Sequence, residues 1–127
     1  MPKKYACIDV GLKRIGLATS LHASIITPRT AILRKNRDQA ARDVDTFLIT
    51  WEIDTLVVGL PSASEEMQRR INHFTKLLKF SGDIIFEEEN MSSVEAEDLM
   101  KGDIKYKRDG RVDSLAAKII LERYLSK

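Results

Sequence analysis

Ala6-Cys7-Ile8-Asp9-Val10-Gly11-Leu12-Lys13-Arg14-Ile15-Gly16-Leu17-Ala18-Thr19-Ser20 is the stretch whose reading decides the fold. A short apolar run, Tyr5 to Ile8, delivers one acid, Asp9, at its end. Gly11 follows two residues later, where the chain has to turn tightly, and a second apolar run starts at Ile15. The pattern predicts two antiparallel strands, over 5–10 and 15–20, joined by a short turn with a carboxylate at the mouth of the hairpin. A carboxylate ending a buried strand is costly unless something compensates it. A divalent metal is one compensator and Lys13 or Arg14 another, while the plainest role open to Asp9 is to cap the turn.

Beyond the hairpin, Ile25-Ile26 and Ala31-Ile32-Leu33 are apolar but interrupted by Pro28, and the second group is a candidate third strand. From Asp38 the period changes. Ala40, Val44, Phe47, Leu48 and Trp51 recur at helical spacing, which predicts a helix over about 37–51. Trp51 lies on that stripe and reads as core rather than as a base-stacking platform. Thr55-Leu56-Val57-Val58-Gly59-Leu60-Pro61 shows no alternation and reads as a parallel strand buried on both faces. Ser62 or Ser64 is placed to cap a following helix, with Met67, Ile71, Phe74 and Leu78 on one stripe and an end near Phe80. Asp83-Ile84-Ile85-Phe86 reads as another short strand, running into Glu87-Glu88-Glu89-Asn90. A helix over about 93–101, a basic loop over 101–111 and a last helix over about 112–125 complete the chain. The loop sets Lys101, Lys105, Lys107, Arg108 and Arg111 against Asp103 and Asp109.

A hairpin followed by alternating helices and strands is an α/β pattern, with helices on both faces of a mixed sheet. The 127 residues, 43% hydrophobic and 31% charged, suit one compact domain, with no repeat or linker to divide it. Met1-Pro2-Lys3-Lys4 leads straight into a strand pattern without a signal-peptide core, and no apolar run has the length of a membrane span. With a single cysteine, Cys7, no disulfide can form within the chain. These features predict a cytoplasmic protein with no membrane partner. A net charge of +2 means that any affinity for nucleic acid depends on where the bases sit. His22 and His73 show no mutual spacing that marks a site.

Three acidic positions share a context. Asp9 ends the first strand, Glu88 and Glu89 follow the strand over 84–86, and Asp113 begins the last helix. Ligands of open α/β sheets gather at the carboxyl ends of parallel strands. Three carboxylates meeting there would repel one another. Two magnesium ions about 4 Å apart would remove the repulsion and activate water against a phosphodiester. Hard oxygen donors suit Mg²⁺ or Mn²⁺, and no Cys/His cluster points to zinc. Each acid also has a structural reading: Asp113 favours the positive end of a helix dipole, and Glu87 to Glu89 can form a solvated turn. The basic loop, with Lys13, Arg14 and the stretch Arg34-Lys35-Asn36-Arg37, would supply the phosphate contacts that a nuclease requires.

Several segments resemble the YqgF/RuvX family of Holliday-junction-resolvase-like proteins and pre-16S rRNA nucleases. Asp9-Val10-Gly11-Leu12-Lys13-Arg14-Ile15-Gly16-Leu17-Ala18 is similar to the family's opening motif, and Val57-Val58-Gly59-Leu60-Pro61 to its central strand. Arg70-Ile71-Asn72-His73-Phe74 follows the spacing of its next helix, and Ser92-Ser93-Val94-Glu95-Ala96 resembles the segment after its D-E-R. Val112-Asp113-Ser114-Leu115-Ala116-Ala117-Lys118-Ile119-Ile120-Leu121 is close to its last motif. The resemblance implies a ribonuclease-H-like fold with a mixed five-stranded sheet. It also implies metal-binding catalytic acids at Asp9, Glu89 and Asp113, with Glu88 in the place of the family's Asp. Two departures bear on substrate recognition. Asn90 replaces the Arg of D-E-R, and Ser62-Ala63-Ser64-Glu65-Glu66 replaces an Asn-x-x-Gly loop, setting two acids where a phosphate backbone would be repelled.

The expectation is a Mg²⁺- or Mn²⁺-dependent nuclease acting on structured nucleic acid, with the 5′ end of precursor 16S rRNA preferred through the resemblance. Lys13, Arg14, Lys107, Arg108 and Arg111 are the expected phosphate contacts. The alternatives are a Holliday junction resolvase on branched DNA, which would need a homodimer to bring two sites, and a non-catalytic nucleic-acid-binding module for ribosome assembly. A phosphotransferase of the actin-like kind needs two such domains, and this chain supplies one.

Overall fold

The computed structural model describes residues 3–22, 25–89 and 111–127, with residues 89 and 111–113 described as backbone only. The expected helix over 93–101 and the basic loop up to residue 110, with Lys107 and Arg108, lie outside the described residues. The opening hairpin is as expected: β1 (Tyr5–Val10) pairs antiparallel with β2 (Arg14–His22), Val10 opposite Ile15. Gly11 N–H donates to the Arg14 carbonyl at 2.9 Å and closes the turn. A Cβ at Gly11 would lie 2.7 Å from that same backbone oxygen, so the turn admits only glycine without a shift.

The third strand is longer than its sequence predicts. β3 (Ile25–Leu33) runs through Pro28, which sits opposite Ala18. The strand is at the sheet's edge, where a residue that cannot donate to the ladder is tolerated. The strand order is β3-β2-β1-β4-β5, with β4 (Thr55–Pro61) and β5 (Asp83–Glu89) parallel to β1. β5 continues through Glu87 to position 89, paired with Gly59, Leu60 and Pro61. The acidic run is therefore strand and not a solvated turn; the backbone ladder outweighs the weak strand propensity of glutamate.

α1 (Arg37–Thr50) starts at Asn36, whose side chain accepts from Gln39 N–H at 2.8 Å while the Gln39 side chain accepts from Asn36 N–H at 3.3 Å. Such a capping box satisfies two orphan donors. α2 (Glu65–Lys76) starts at Ser64, whose hydroxyl accepts from Met67 N–H at 3.2 Å, a cap worth about 0.5–2 kcal/mol. It ends before Phe80. The Leu77 and Leu78 amides fall back on Phe74 and Thr75, and Lys79 N–H is drawn to the Asp45 carboxylate at 3.0 Å. Leu77, Leu78 and Phe80 still pack on the core, but as irregular chain. Glu65 and Glu66 lie in the first turn of α2, at its positive end, and Glu66 also pairs with Arg70 at 2.8 Å. α3 (Arg111–Leu125) is the last element. Among the described residues no helix is long and apolar enough to cross a membrane.

The sheet's two faces have separate cores. Ala6, Ile8, Val10, Leu56 and Val58 pack with Ala40, Val44, Leu48, Ile71 and Phe74 of α1 and α2. Cys7, Ala18 and Val57 pack with Ala117, Ile120 and Leu121 of α3. Strand alternation then assigns every other position of β1, β4 and β5 to one face or the other.

Candidate active site

Asp9 is two residues on from Cys7 and so falls on the α3 face, half-buried. Its partner in β2 is Gly16. In β4 the residue one past the Ile8–Val58 pair is Gly59. Both strands flanking Asp9 therefore carry no side chain at its level. The β5 partner of Gly59 is Glu87, on the same face and buried, with its carboxylate held by Lys127 Nζ at 2.7 Å. Neighbouring strands lie about 4.8 Å apart, which sets β5 about 10 Å from β1 across the Gly59 gap.

The two glutamates that follow separate cleanly. Glu88 pairs with Leu60 and has the parity of Ile84, and both of those pack on the α1/α2 core. Glu88 is exposed on the face away from Asp9. Position 89 pairs with Pro61 and has the parity of Glu87 and Asp9, on the α3 face. Position 113 is the third residue of α3, in its first turn.

What fixes the start of α3 is Ser114, fully buried beside it. Leu17 N–H donates to the Ser114 oxygen at 3.3 Å, and the Ser114 hydroxyl donates to the Arg29 carbonyl. Leu17 and Arg29 are partners in the β2–β3 ladder, next to a register shift between Ile15 and Leu17. One hydroxyl thus bridges a rung of the sheet beside an irregularity and satisfies a buried backbone N–H and a partly buried carbonyl. Leu17 adjoins Gly16, the partner of Asp9, so Ser114, the residue after position 113, is tied next to the row that carries Asp9. Glu88 lies on the opposite face of the sheet from Asp9.

Of the expected phosphate contacts, Lys13 and Arg14 are exposed at the tip of the hairpin, a few residues along the chain from Asp9. The side chain of Arg111 lies outside the described residues, as do those at 89 and 113. Among the described residues no group of three His, Cys, Asp or Glu side chains forms a metal site. Sequence reasoning missed Ser114 and the two glycines, although all three stand inside the motifs it quoted. It placed Trp51 with the core and assigned His73 to no site. His73 is exposed, and Trp51 packs against the core with Arg29 stacked 4.1 Å above its ring.

The sequence profile of the RuvX family, described as Holliday junction resolvase, matches residues 3–127. The chain belongs to the RuvX family. It is 58% identical over 125 residues to a Sulfurimonas denitrificans protein named "Putative pre-16S rRNA nuclease", with 96% of each chain covered. A Sulfurovum protein of the same name is 56% identical over 126 residues, covering 97% of this chain and 98% of the relative. The fold is that of the ribonuclease-H-like resolvases. RuvC of T. thermophilus, solved with a Holliday junction substrate, superposes with a TM-score of 0.62 at 14% identity, over 98% of this chain and 96% of RuvC. The Fowlpox virus resolvase superposes at 0.60, also at 14% identity, over 98% and 99%.

Proposed function

We propose that this RuvX-family chain is a divalent-metal-dependent nuclease that hydrolyses phosphodiester bonds in precursor 16S rRNA, with Asp9, Glu89 and Asp113 as its metal-binding catalytic carboxylates. The observation that carries the reading is the side-chain-free row around Asp9: Gly16 on one side and Gly59 on the other, on the face that α3 covers. Two relatives above 55% identity bearing the same nuclease name support the substrate.

The donor set fits Mg²⁺ or Mn²⁺. It is built of carboxylate oxygens, with no thiolate or imidazole among the three residues, as hard cations prefer. Strand alternation supports Glu89 over Glu88 as the β5 ligand, because position 89 shares the face of Asp9. When bound, such an ion lowers the pKa of water and stabilises the leaving oxygen of the phosphodiester. The chain's own residues do the rest. Asp9 holds a negative charge at a strand end, and the glycines leave room beside it. Ser114 fixes the first turn of α3 against the hairpin. Lys13, Arg14, Lys107, Arg108 and Arg111 draw and orient the phosphate backbone.

The test is cleavage of a precursor 16S rRNA fragment and of a four-way DNA junction, with Mg²⁺, with Mn²⁺ and with chelator. Wild type is expected to cut the rRNA only with metal, and Asp9→Asn to bind it uncut. Equal cutting by wild type and Asp9→Asn would sink the reading. Junction cleavage with the rRNA left intact would replace it by the resolvase.

A further inference from the structure

Arg34, Arg37, Arg69, Arg70 and His73 line one cavity of about 440 Å³. The residues come from three elements: the link from β3 to α1, the first residue of α1, and one face of α2. Several features of the cluster work against the fold. Arg37 stands at the positive end of α1, where a cation is unfavourable. Burial, and then the nearby guanidiniums of Arg37 and Arg70, hold Arg34 below the ordinary arginine value. Among the described residues neither Arg37 nor Arg69 has an ion-pair partner. The nearby acids are Glu66, on Arg70, and Asp38, which lines an adjoining cavity of about 290 Å³ with Arg37 and His73. A set of like charges gathered at such a cost is what an anion site requires.

The lining identifies the anion. Guanidiniums match phosphate oxygens in pairs. Four guanidiniums and the His73 imidazole line the cavity, with no carboxylate and no aliphatic side chain among them. It also adjoins the hairpin. Arg34 Nη1 donates to the Gly11 carbonyl at 3.0 Å, and Arg34 N–H to the Lys13 carbonyl at 2.8 Å. The cavity therefore continues from the turn that carries Lys13 and Arg14, on the α1/α2 face.

We propose that this arginine cavity binds backbone phosphates of the nucleic-acid substrate, as a second contact on the face away from Asp9. The proposal rests on the nucleic-acid reading above, though not on cleavage. The test is binding of a labelled RNA stem in chelator across a range of salt. Wild type is compared with Arg37→Gln/Arg69→Gln and with Arg42→Gln/Lys79→Gln, which removes equal charge from a different groove, between α1 and the segment after α2. All four residues are exposed, and melting curves check the fold. Two lost phosphate contacts lower the slope of log K against log salt by about 1.4 to 1.8. That loss is expected in the cavity variant, with less than half of it in the control. Equal losses in the two variants would overturn the proposal. So would an unchanged RNA slope with tripolyphosphate binding that the cavity variant abolishes, since the site would then serve a free anion. Wild type that binds no RNA overturns this proposal and the functional reading together. Wild type that binds RNA but never cuts it removes only the nuclease reading.

Discussion

Replacing Ser114 by alanine removes a single hydroxyl, yet two backbone groups lose their partner. Leu17 is 2% exposed and Ser114 fully buried, so water does not replace the bond that the Leu17 amide loses. A buried donor left unmade costs about 1–3 kcal/mol. For a domain of this size each kcal/mol moves the melting temperature by about 4 °C, so Ser114→Ala is expected to melt about 4 to 12 °C lower. With about 5–15 kcal/mol of total stability to draw on, the variant stays folded at room temperature. The loss is local, and hydrogen exchange locates it: the Leu17 amide should exchange markedly faster, while amides of β4 slow or speed only with global stability. The start of α3 is then less firmly held against the hairpin, and half-maximal cleavage should need more metal. A melting temperature within 1 °C of wild type, with Leu17 exchange unchanged, would refute the bridging role of the hydroxyl.

Strand alternation makes a sharper distinction than charge does: Glu89→Gln is expected to lower the cleavage rate at least about a hundredfold and Glu88→Gln less than about threefold, read in a single-turnover assay. Arg37→Gln relieves a cation at a helix N-terminus and should raise stability by about 0.3–1 kcal/mol in a denaturant melt, even as it weakens RNA binding. Gly11→Ala forces a methyl onto the Arg14 carbonyl and should lower stability by about 1–3 kcal/mol, as measured by thermal melting.

The hairpin was legible because Gly11 and two apolar runs leave the chain one economical path, and β4 because Leu56 to Val58 have no polar face to expose. Other parts depended on partners that lie far off in the chain. β3 passes through Pro28 only because it is at the sheet's edge, a fact of strand order. Glu87 joins a strand because Gly59 offers it a ladder and Lys127 neutralises it. α2 stops early because Asp45, on another helix, captures the Lys79 amide. The candidate site shows the same division. The motifs offer Asp9, Glu89 and Asp113 as candidates. The choice of face needed the register of β5, and the function of Ser114 needed its contacts with two strands 85 and 97 residues away. The arginine cavity joins three elements, and no single stretch of sequence displays it.

The convergence of Asp9, Glu89 and Asp113 is tested most directly by a crystal of the chain grown with Mn²⁺, located by its anomalous scattering. Manganese bonded to the Asp9 carboxylate and to an oxygen of residue 89 or 113, and lost in Asp9→Asn, is the predicted result. Manganese elsewhere on the surface, with those three carboxylates directed apart, would contradict it.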